Sequence, residues 1–257
     1  HPNIPAVYEL GFSQHPRGGE VPYFTQEYCR GVPLIMAIPR VKRLAEMWPW
    51  MIQILRALDY MHRWGWIHRD LKPGNVLVDM KDTSDTSTRL IDLGVASRIG
   101  APPEKVFIGT PEYCAPEILA GRRFDQRSDL YAFGLVLYEA IERRRPWTGS
   151  NEVELLTGRL KKPPPPIAHP DCPPEVEELV KHLLRPRPKE RPKTAAEVLE
   201  RLARAVGLEM TIETPLAFRR QLSSIPMPGR DEILEQGEKC LSGILPGREE
   251  QGQARED

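Results

Sequence analysis

The segment Asp129–Glu142, with the sequence DLYAFGLVLYEAIE, constrains the fold of this chain more than any other segment. Its apolar residues are not confined to one face, so a helix formed here presents apolar side chains in nearly every direction. Such a helix is stable only when other elements surround it. We therefore predict a domain built around a central buried helix, for which 40% apolar residues among 257 are sufficient.

Four further segments have the apolar spacing of amphipathic helices. They are Ala45–Arg63, Glu152–Leu160, Glu175–Leu184 and Thr194–Val206. Thr194 is a predicted N-cap, because Glu197 three residues later completes a capping box. The four prolines of Pro163–Pro166 predict an extended, stiff connector, with a recognition ligand as the alternative.

Strands are predicted mainly near the start of the chain. Val7–Leu10 and Val21–Glu27 have the composition of a hairpin, and the glycines between them, Gly18 and Gly19, are predicted to form its turn. The spacing G-x-G-x-x-G of a phosphate-binding loop is absent there. The same reasoning predicts a second pair of strands separated by a polar insert: Val76–Val78, Leu90–Ile91 and, between them, Lys81–Thr88.

Composition restricts the classes of partner. Lys and Arg together number 36, as do Asp and Glu, and a net charge of zero argues against a general binder of nucleic acids or membranes. No stretch approaches the roughly 20 apolar residues that a membrane-spanning helix needs. The four cysteines are far apart, which fits reduced thiols and a cytoplasmic location better than a disulfide framework or a zinc site: Cys29, Cys114, Cys172 and Cys240.

Three runs carry the polar residues suited to phosphate chemistry. They are His68–Asn75 (HRDLKPGN), Asp92–Gly94 (DLG) and Gly109–Glu117 (GTPEYCAPE). In this order and at these separations, the runs resemble the eukaryotic-like protein kinase family, in its bacterial type. They match the family's catalytic loop, its metal-binding motif with Leu in place of Phe, and the end of its activation segment.

The resemblance covers roughly residues 1–206 and implies an α+β, protein-kinase-like fold. A partial small β lobe is expected in residues 1–30 and a mainly helical large lobe in residues 31–207, together one kinase domain. Residues 208–257 are polar and broken by prolines, and we expect a linker or tail there. Within this tail, Pro228–Leu234 resembles the lead-in to an ATPase module, the alternative being a polar linker that enters a helix.

The resemblance implies a catalytic role for residues of the first and third runs. Asp70 is expected to accept or orient the proton of the substrate hydroxyl. Lys72 is expected to lie against the transferring phosphate as a point charge, and Thr110 to bridge Asp70 and Lys72. Arg69 marks the class of kinases that is normally controlled by a phosphate on the activation segment.

Nucleotide and metal ligands are also implied by the resemblance. Asn75 and Asp92 offer the hard oxygen ligands that Mg²⁺ prefers. Glu27 and Cys29 fall at the hinge between the lobes, where backbone groups would hydrogen-bond the adenine of ATP. Leu77 would lie beneath the adenine ring.

Further positions are expected to support this site. An ion pair is expected between Glu117 and Arg191 in the large lobe, and Asp129 is expected to hold the backbone of the catalytic loop. Gln26 would be the gatekeeper residue. The members expected in a regulatory hydrophobic stack are Val7, His68 and Leu93.

The implied activity is transfer of the ATP γ-phosphate to serine or threonine of protein substrates in signalling. Lys72, two places after Asp70, is the serine/threonine pattern, and the run that begins at Gly109 agrees with it. The alternative is a catalytically impaired kinase that acts as a scaffold and only docks partners. Intact Asp70, Lys72, Asn75 and Asp92 favour the enzyme.

Part of the family pattern is not found in residues 1–257. The Gly-rich loop, the ATP-gripping lysine and its glutamate partner are missing, and His1 lies inside a family motif. We expect truncation relative to the gene rather than a natural half-kinase. Because ATP positioning supplies much of the rate, we expect this segment alone to transfer phosphate at least ~100-fold more slowly than a chain with a complete small lobe.

The activation segment departs from the family pattern as well. Val95–Ile108 holds a single hydroxyl group, that of Ser97, close to the metal-binding motif. We therefore hypothesise that switching does not use activation-segment phosphorylation. A carboxylate such as that of Glu104 is the expected partner of Arg69 instead.

Overall fold

The computed structural model of this chain describes residues 1–14, 18–84, 86–93, 96–100 and 109–208. Residues His1–Met210 form one compact unit. The second unit, Thr211–Asp257, lies outside the described residues, and so does the predicted lead-in at Pro228–Leu234. In the described part of the chain, no helix is long and apolar enough to cross a membrane.

The predicted N-terminal hairpin is confirmed, with a longer first strand and a second strand shifted by one residue. Strand β1 (Val7–Gln14) pairs antiparallel with β2 (Glu20–Gln26). The ladder extends from the pair of Val7 and Gln26 to the pair of Gln14 and Glu20. Backbone pairing therefore extends closer to the turn in both strands than their composition predicts.

A short strand, β3 (Val32–Pro33), and a single helical turn, α1 (Leu34–Ala37), lead to the first long helix, α2 (Trp48–Arg63). The prediction that this helix begins at Ala45 was wrong. Leu44–Glu46 forms a separate 3-10 turn, and a proline occupies the first turn of α2. Proline lacks a backbone N–H and is tolerated at a helix start but not in its interior, so the helix begins at Trp48.

Four short strands follow α2: β4 (Trp66–Ile67), β5 (Val76–Val78), β6 (Thr88–Leu90) and β7 (Ser97–Arg98). Strand β5 lies between β3 and β6 in an antiparallel sheet, and β4 pairs with β7. The predicted strand at Leu90–Ile91 begins two residues earlier, because Thr88 pairs with Val78.

The helix predicted at the centre of the domain is confirmed and is longer than its apolar segment. After the short helix α3 (Pro116–Leu119), α4 extends over Gln126–Glu142. Asp125 caps its start by accepting a hydrogen bond from the backbone N–H of Arg127 at 2.8 Å. Polar residues at the first turn concealed this start, whereas nearly all side chains from Ser128 to Ile141 are buried, as predicted.

Three helices complete the domain: α5 (Glu152–Lys161), α6 (Pro174–Leu183) and α7 (Ala195–Ala205). Helix α6 packs against α4, while α7 packs against α2. The predicted cap of α7 is confirmed, since the Thr194 hydroxyl accepts from the backbone N–H of Glu197 at 3.2 Å. The Glu197 carboxylate accepts from Lys193 rather than from Thr194, one residue further back than a capping box places it.

Candidate active site

The loop between β4 and β5 brings a lysine, an aspartate and an asparagine together. The Lys72 ammonium donates to the Asp70 carboxylate at 2.7 Å and to the Thr110 hydroxyl at 2.7 Å. Asn75 donates from its amide nitrogen to the Asp70 carboxylate at 2.9 Å and to the Asp70 backbone carbonyl at 3.0 Å. Asp70, Lys72 and Thr110 therefore lie together, as the resemblance implies, and the Lys72 ammonium contacts the side-chain oxygens of both other residues.

These contacts keep Asp70 ionised. Partial burial acts to raise the pKa of its carboxyl, but hydrogen bonds from Lys72 and Thr110, the Lys72 charge and the Asn75 amide outweigh it. The pKa of Asp70 therefore lies below its ordinary value. An ionised carboxylate can accept a proton, and its hydrogen bonds to the loop fix its position.

The loop itself is held from the start of α4. The Asp129 carboxylate accepts hydrogen bonds from the backbone N–H groups of His68 at 2.8 Å and Arg69 at 2.9 Å, and it contacts the His62 ring at 2.8 Å. Arg69 has a left-handed backbone with φ of 70°, which a side chain with a Cβ adopts only under restraint. The expectation that Asp129 holds this backbone is confirmed.

Asp129 makes the fold sensitive to acid. Complete burial acts to raise its pKa, but the hydrogen bond and charge of His62, with further contributions from His68, lower the pKa of Asp129 below the ordinary 3.8. The ionised carboxylate therefore contributes stability that is complete above that ordinary value and is lost as the pH falls below it. We expect Asp129→Asn to lower the free energy of unfolding by about 2 kcal/mol or more at pH 7.

Urea unfolding at a series of pH values between about 7 and 3 checks this expectation. Below the ordinary aspartate pKa, the difference between Asp129→Asn and the unmodified chain is expected to shrink, because the native carboxylate must then be protonated. Glu200→Gln, at an exposed position of α7, serves as a carboxylate-to-amide control that leaves the curve unchanged. A difference that stays constant down to pH 3 contradicts this account.

Sheet register places Asn75 beside the segment that carries Asp92. Val76 pairs with Leu90, and the backbone N–H of Ile91 donates to the carbonyl of Asn75 at 2.9 Å. Asp92 follows with an exposed side chain and a left-handed φ of 64°. The two hydrogen bonds from the Asn75 side chain to Asp70 use its nitrogen, so neither consumes the oxygen that a metal ligand needs. Gly94, the third residue of the run, lies outside the described residues.

The residues expected at the hinge lie at the end of β2, close to β5 and β6. Glu27 forms an ion pair with Arg89 at 3.5 Å and accepts the thiol of Cys29 on its backbone carbonyl at 3.7 Å. Burial is the main reason that the pKa of Cys29 lies above its ordinary value, so this thiol stays protonated. Leu77 pairs with Arg89 across the sheet, which puts its half-buried side chain on the face that reaches Glu27.

The buried ion pair expected between Glu117 and Arg191 is confirmed. Two guanidinium nitrogens of Arg191 donate to the two carboxylate oxygens of Glu117 at 2.7 and 2.8 Å, and the Ser128 hydroxyl donates to the same carboxylate at 2.6 Å. The Arg191 guanidinium also lies 4.6 Å above the ring of Tyr131. The end of the third run is therefore fastened to the first turn of α4 and to the segment before α7.

Two polar contacts near the site were missed by the sequence reasoning. The Tyr113 hydroxyl donates to the Glu139 carboxylate of α4 at 2.6 Å, which fixes the loop that follows Thr110. Asn3 and Gln53 are buried and hydrogen-bond each other at 3.1 Å, which links the start of the chain to α2. A glutamine on the otherwise apolar face of α2 was the available signal for the second contact.

The remaining expectations concern the surroundings of Val7 and the partner of Arg69. Val7 is 52% exposed on the hairpin, whereas His68 is fully buried and Leu93 is partly buried against the hydrophobic core. The Arg69 guanidinium lies 5.1 Å above the ring of Phe124, a contact that the sequence reasoning missed. Glu104, the partner hypothesised for Arg69, lies outside the described residues.

Comparison with known proteins agrees with this geometry. The protein kinase domain family matches residues 1–202. Serine/threonine-protein kinase PknA of Mycobacterium tuberculosis is 35% identical over 193 residues, which cover 73% of this chain and 44% of that protein. Serine/threonine-protein kinase PknB of Mycolicibacterium smegmatis is 33% identical over 219 residues, covering 79% and 33%.

The chain spans less than half the length of these curated relatives. The family match nevertheless includes every described element from the hairpin to most of α7. It also includes the three runs that carry the polar network. This chain therefore belongs to the protein kinase domain family, and the relatives named above are bacterial serine/threonine kinases.

Proposed function

We propose that this protein transfers the γ-phosphate of ATP to serine or threonine hydroxyls of protein substrates. The single observation that carries this proposal is the hydrogen-bonded set of Asp70, Lys72, Asn75 and Thr110. This set holds the ionised Asp70 carboxylate 2.7 Å from the Lys72 ammonium, beside the loop that carries the Thr110 hydroxyl. Phosphoryl transfer needs this kind of positioning and charge stabilisation more than covalent help from the protein.

In the proposed reaction, the bond between the γ-phosphorus and its bridging oxygen breaks as a bond to the substrate hydroxyl oxygen forms. Asp70 orients that hydroxyl and takes its proton, and the lowered pKa of Asp70 keeps the carboxylate ionised and so able to accept a hydrogen bond from the hydroxyl. Lys72 neutralises charge on the transferring phosphate. Thr110 keeps the Lys72 ammonium beside Asp70. The Asp129 carboxylate accepts a hydrogen bond from the backbone N–H of Arg69 and so holds the backbone of the loop that carries Asp70 and Lys72.

For the nucleotide, we propose that backbone groups of Glu27 and Cys29 hydrogen-bond the adenine and that Leu77 packs beneath it. Support comes from the partly exposed Leu77 side chain, which shares its face of the sheet with Arg89, the ion-pair partner of Glu27. An apolar surface beside a few polar groups, backbone groups among them, is the usual composition of a small-molecule site. The raised pKa of Cys29 fits a packing role rather than a reactive thiol.

For the metal, we propose Asn75 and Asp92 as the ligands of Mg²⁺. The donor set fits, because an amide oxygen and a carboxylate are hard ligands on neighbouring segments. In the described part of the chain, no three His, Cys, Asp or Glu residues form a metal cluster. Mg²⁺ is usually bound through one or two carboxylates together with substrate phosphates. When bound there, Mg²⁺ would neutralise negative charge on the phosphates of the nucleotide.

Asp92→Ala tests the metal and nucleotide sites together. We expect the unmodified chain to bind ATP more tightly with Mg²⁺ than without it, as measured by calorimetry. Asp92→Ala is expected to abolish the Mg²⁺-dependent part of the affinity for ATP, because a metal-bridging carboxylate is lost. We expect the Kd for ATP in the presence of Mg²⁺ to rise at least about tenfold.

Asp171→Ala, an exposed carboxylate on the segment before α6, is the control and is expected to bind as the unmodified chain does. Equal Mg²⁺ dependence in the Asp92 variant and the control contradicts the assignment of Asp92. Complete absence of ATP binding in the unmodified chain contradicts the nucleotide site proposed at Glu27, Cys29 and Leu77.

The domain limits and partners are proposals of the same kind. We propose one kinase domain over residues 1–207, with a hinge near Glu27 to Gly31, followed by a tail in residues 208–257 that leads to a further module such as an ATPase. Protein substrates are the proposed partners and the cytoplasm is the proposed location, supported by the balanced charge and dispersed cysteines. Nucleic acid is not among the proposed partners. The scaffold alternative gains no support from a polar network in which each expected side chain is present.

A further inference from the structure

Arg159 is the largest side chain among those fully buried in the described part of the chain. It lies in α5 and is 1% exposed. Its guanidinium donates to three backbone carbonyls of one loop: to Pro111 at 2.9 Å, to Glu112 at 2.5 Å and to Cys114 at 2.5 Å. One side chain thus holds three backbone carbonyls within a stretch of four residues.

This arrangement is costly, which indicates that the guanidinium itself is needed. Among the described residues, no carboxylate forms an ion pair with Arg159, and its guanidinium nitrogens contact backbone carbonyls instead. Desolvation by burial accordingly lowers its pKa. A residue required only to fill space between α5 and the loop would be apolar, because burying a cation without a counter-ion is unfavourable.

The clamped loop is joined directly to the catalytic network. Its first clamped residue, Pro111, follows Thr110, whose hydroxyl accepts from Lys72 at 2.7 Å, and Lys72 in turn contacts Asp70 at 2.7 Å. Within the loop, Tyr113 is fastened to α4 through Glu139. Two helices therefore hold the loop. Helix α4 binds its Tyr113 side chain, and helix α5 binds its backbone carbonyls.

We propose that Arg159 is a positioning residue for the protein substrate. It holds residues 111–114 in the conformation against which the substrate segment around the acceptor hydroxyl lies. This inference rests on the proposed kinase function, since it assigns the loop beside Asp70 to the protein substrate rather than to ATP. The clamp acts through backbone carbonyls, so it sets the shape of the substrate site without itself contacting the substrate.

The test compares Arg159→Met and Arg159→Lys with Lys161→Met, an exposed cation of the same helix. Hydrogen–deuterium exchange is read in residues 109–116 and, as an internal reference, in residues 66–78. Arg159→Met is expected to speed exchange in residues 109–116 at least about tenfold while the reference is unchanged, because three carbonyl anchors are lost. The exchange rate in Arg159→Lys is expected to lie between those of Arg159→Met and the unmodified protein, since an ammonium cannot reproduce the planar donor geometry of a guanidinium.

Steady-state kinetics of the full-length protein supplies the second readout. Arg159→Met is expected to raise KM for a Ser/Thr peptide at least about tenfold, with KM for ATP changed by no more than about twofold, and Arg159→Lys is expected to recover part of the loss. Lys161→Met is expected to match the unmodified protein in both assays. If Arg159→Met does not fold, Arg159→Lys carries both readouts.

Two results overturn the proposal. One is unchanged exchange in residues 109–116 in both Arg159 variants. The other is an equal rise in KM for peptide and ATP accompanied by faster exchange in residues 66–78, which indicates a general loss of packing. If the unmodified full-length protein transferred no phosphate, the proposed function would fail, and the exchange measurement would still decide whether Arg159 holds the loop.

Discussion

Asp70→Asn is expected to lower kcat for phosphoryl transfer by about 10²–10⁴-fold, the range that a positioned general base contributes. Asparagine has nearly the same shape as aspartate, so the backbone of the loop between β4 and β5 keeps its contacts with Asp129. The variant loses the negative charge beside Lys72 and the capacity to take a proton. We therefore expect the free energy of unfolding to change by no more than about 1 kcal/mol, because the Lys72 side chain of the lost pair is 28% exposed and remains partly solvated.

The measurement is kcat and KM for a Ser/Thr peptide in the full-length protein, with ATP at saturation. Asp171→Asn removes an exposed carboxylate and is expected to leave both parameters unchanged. The proposed role is contradicted by an Asp70→Asn variant that retains more than about a tenth of the unmodified kcat. A rise in KM without a change in kcat would assign Asp70 to binding rather than to proton transfer.

Arg191→Met is expected to lower the free energy of unfolding by about 3–5 kcal/mol, because it leaves the Glu117 carboxylate buried without its partner. Arg191 is fully buried and the Glu117 side chain is 5% exposed, so solvent cannot replace the lost charge. The methionine fills part of the vacated volume but donates no hydrogen bond. Urea unfolding at pH 7 gives the difference.

A second substitution separates the charge effect from the loss of packing. Adding Glu117→Gln to Arg191→Met neutralises the stranded carboxylate, and we expect it to recover part of the lost stability, in a double-mutant cycle with substantial coupling. The exposed pair of Lys181 and Glu178, at 2.8 Å, is the matched control, and Lys181→Met is expected to leave the urea midpoint unchanged. Equal effects of Arg191→Met and Lys181→Met contradict the expected difference between buried and exposed pairs.

Much of the helical architecture could be predicted from the sequence, because apolar periodicity reports which face of a helix is buried. Helix α4 is the clearest example, since its apolar side chains in all directions require a central position. Boundaries were less predictable. The start of α2 depends on a proline in its first turn, and that of α4 depends on a cap at Asp125 that precedes any apolar residue of the helix.

The candidate site was predictable to the extent that its residues are adjacent in sequence. Asp70, Lys72 and Asn75 occupy one loop, so a run of eight letters identifies them. Arg159 was not identified, since one arginine on an amphipathic helix has the appearance of a solvent-facing residue. Its burial follows from how α5 packs against a loop that lies 45 residues earlier or more, and periodicity carries no information about such pairs.

Helix α4 also fixes the distance between the anchors of two loops that form the site. Asp129 in its first turn holds the catalytic loop, and Glu139 holds the loop that carries Tyr113. Ten residues of helix separate these two anchors, which fixes a spacing of about 15 Å along the axis. A single inserted residue between them would also rotate one anchor by about 100° relative to the other. The length of this segment is therefore as tightly constrained as the identity of the residues at its two anchors.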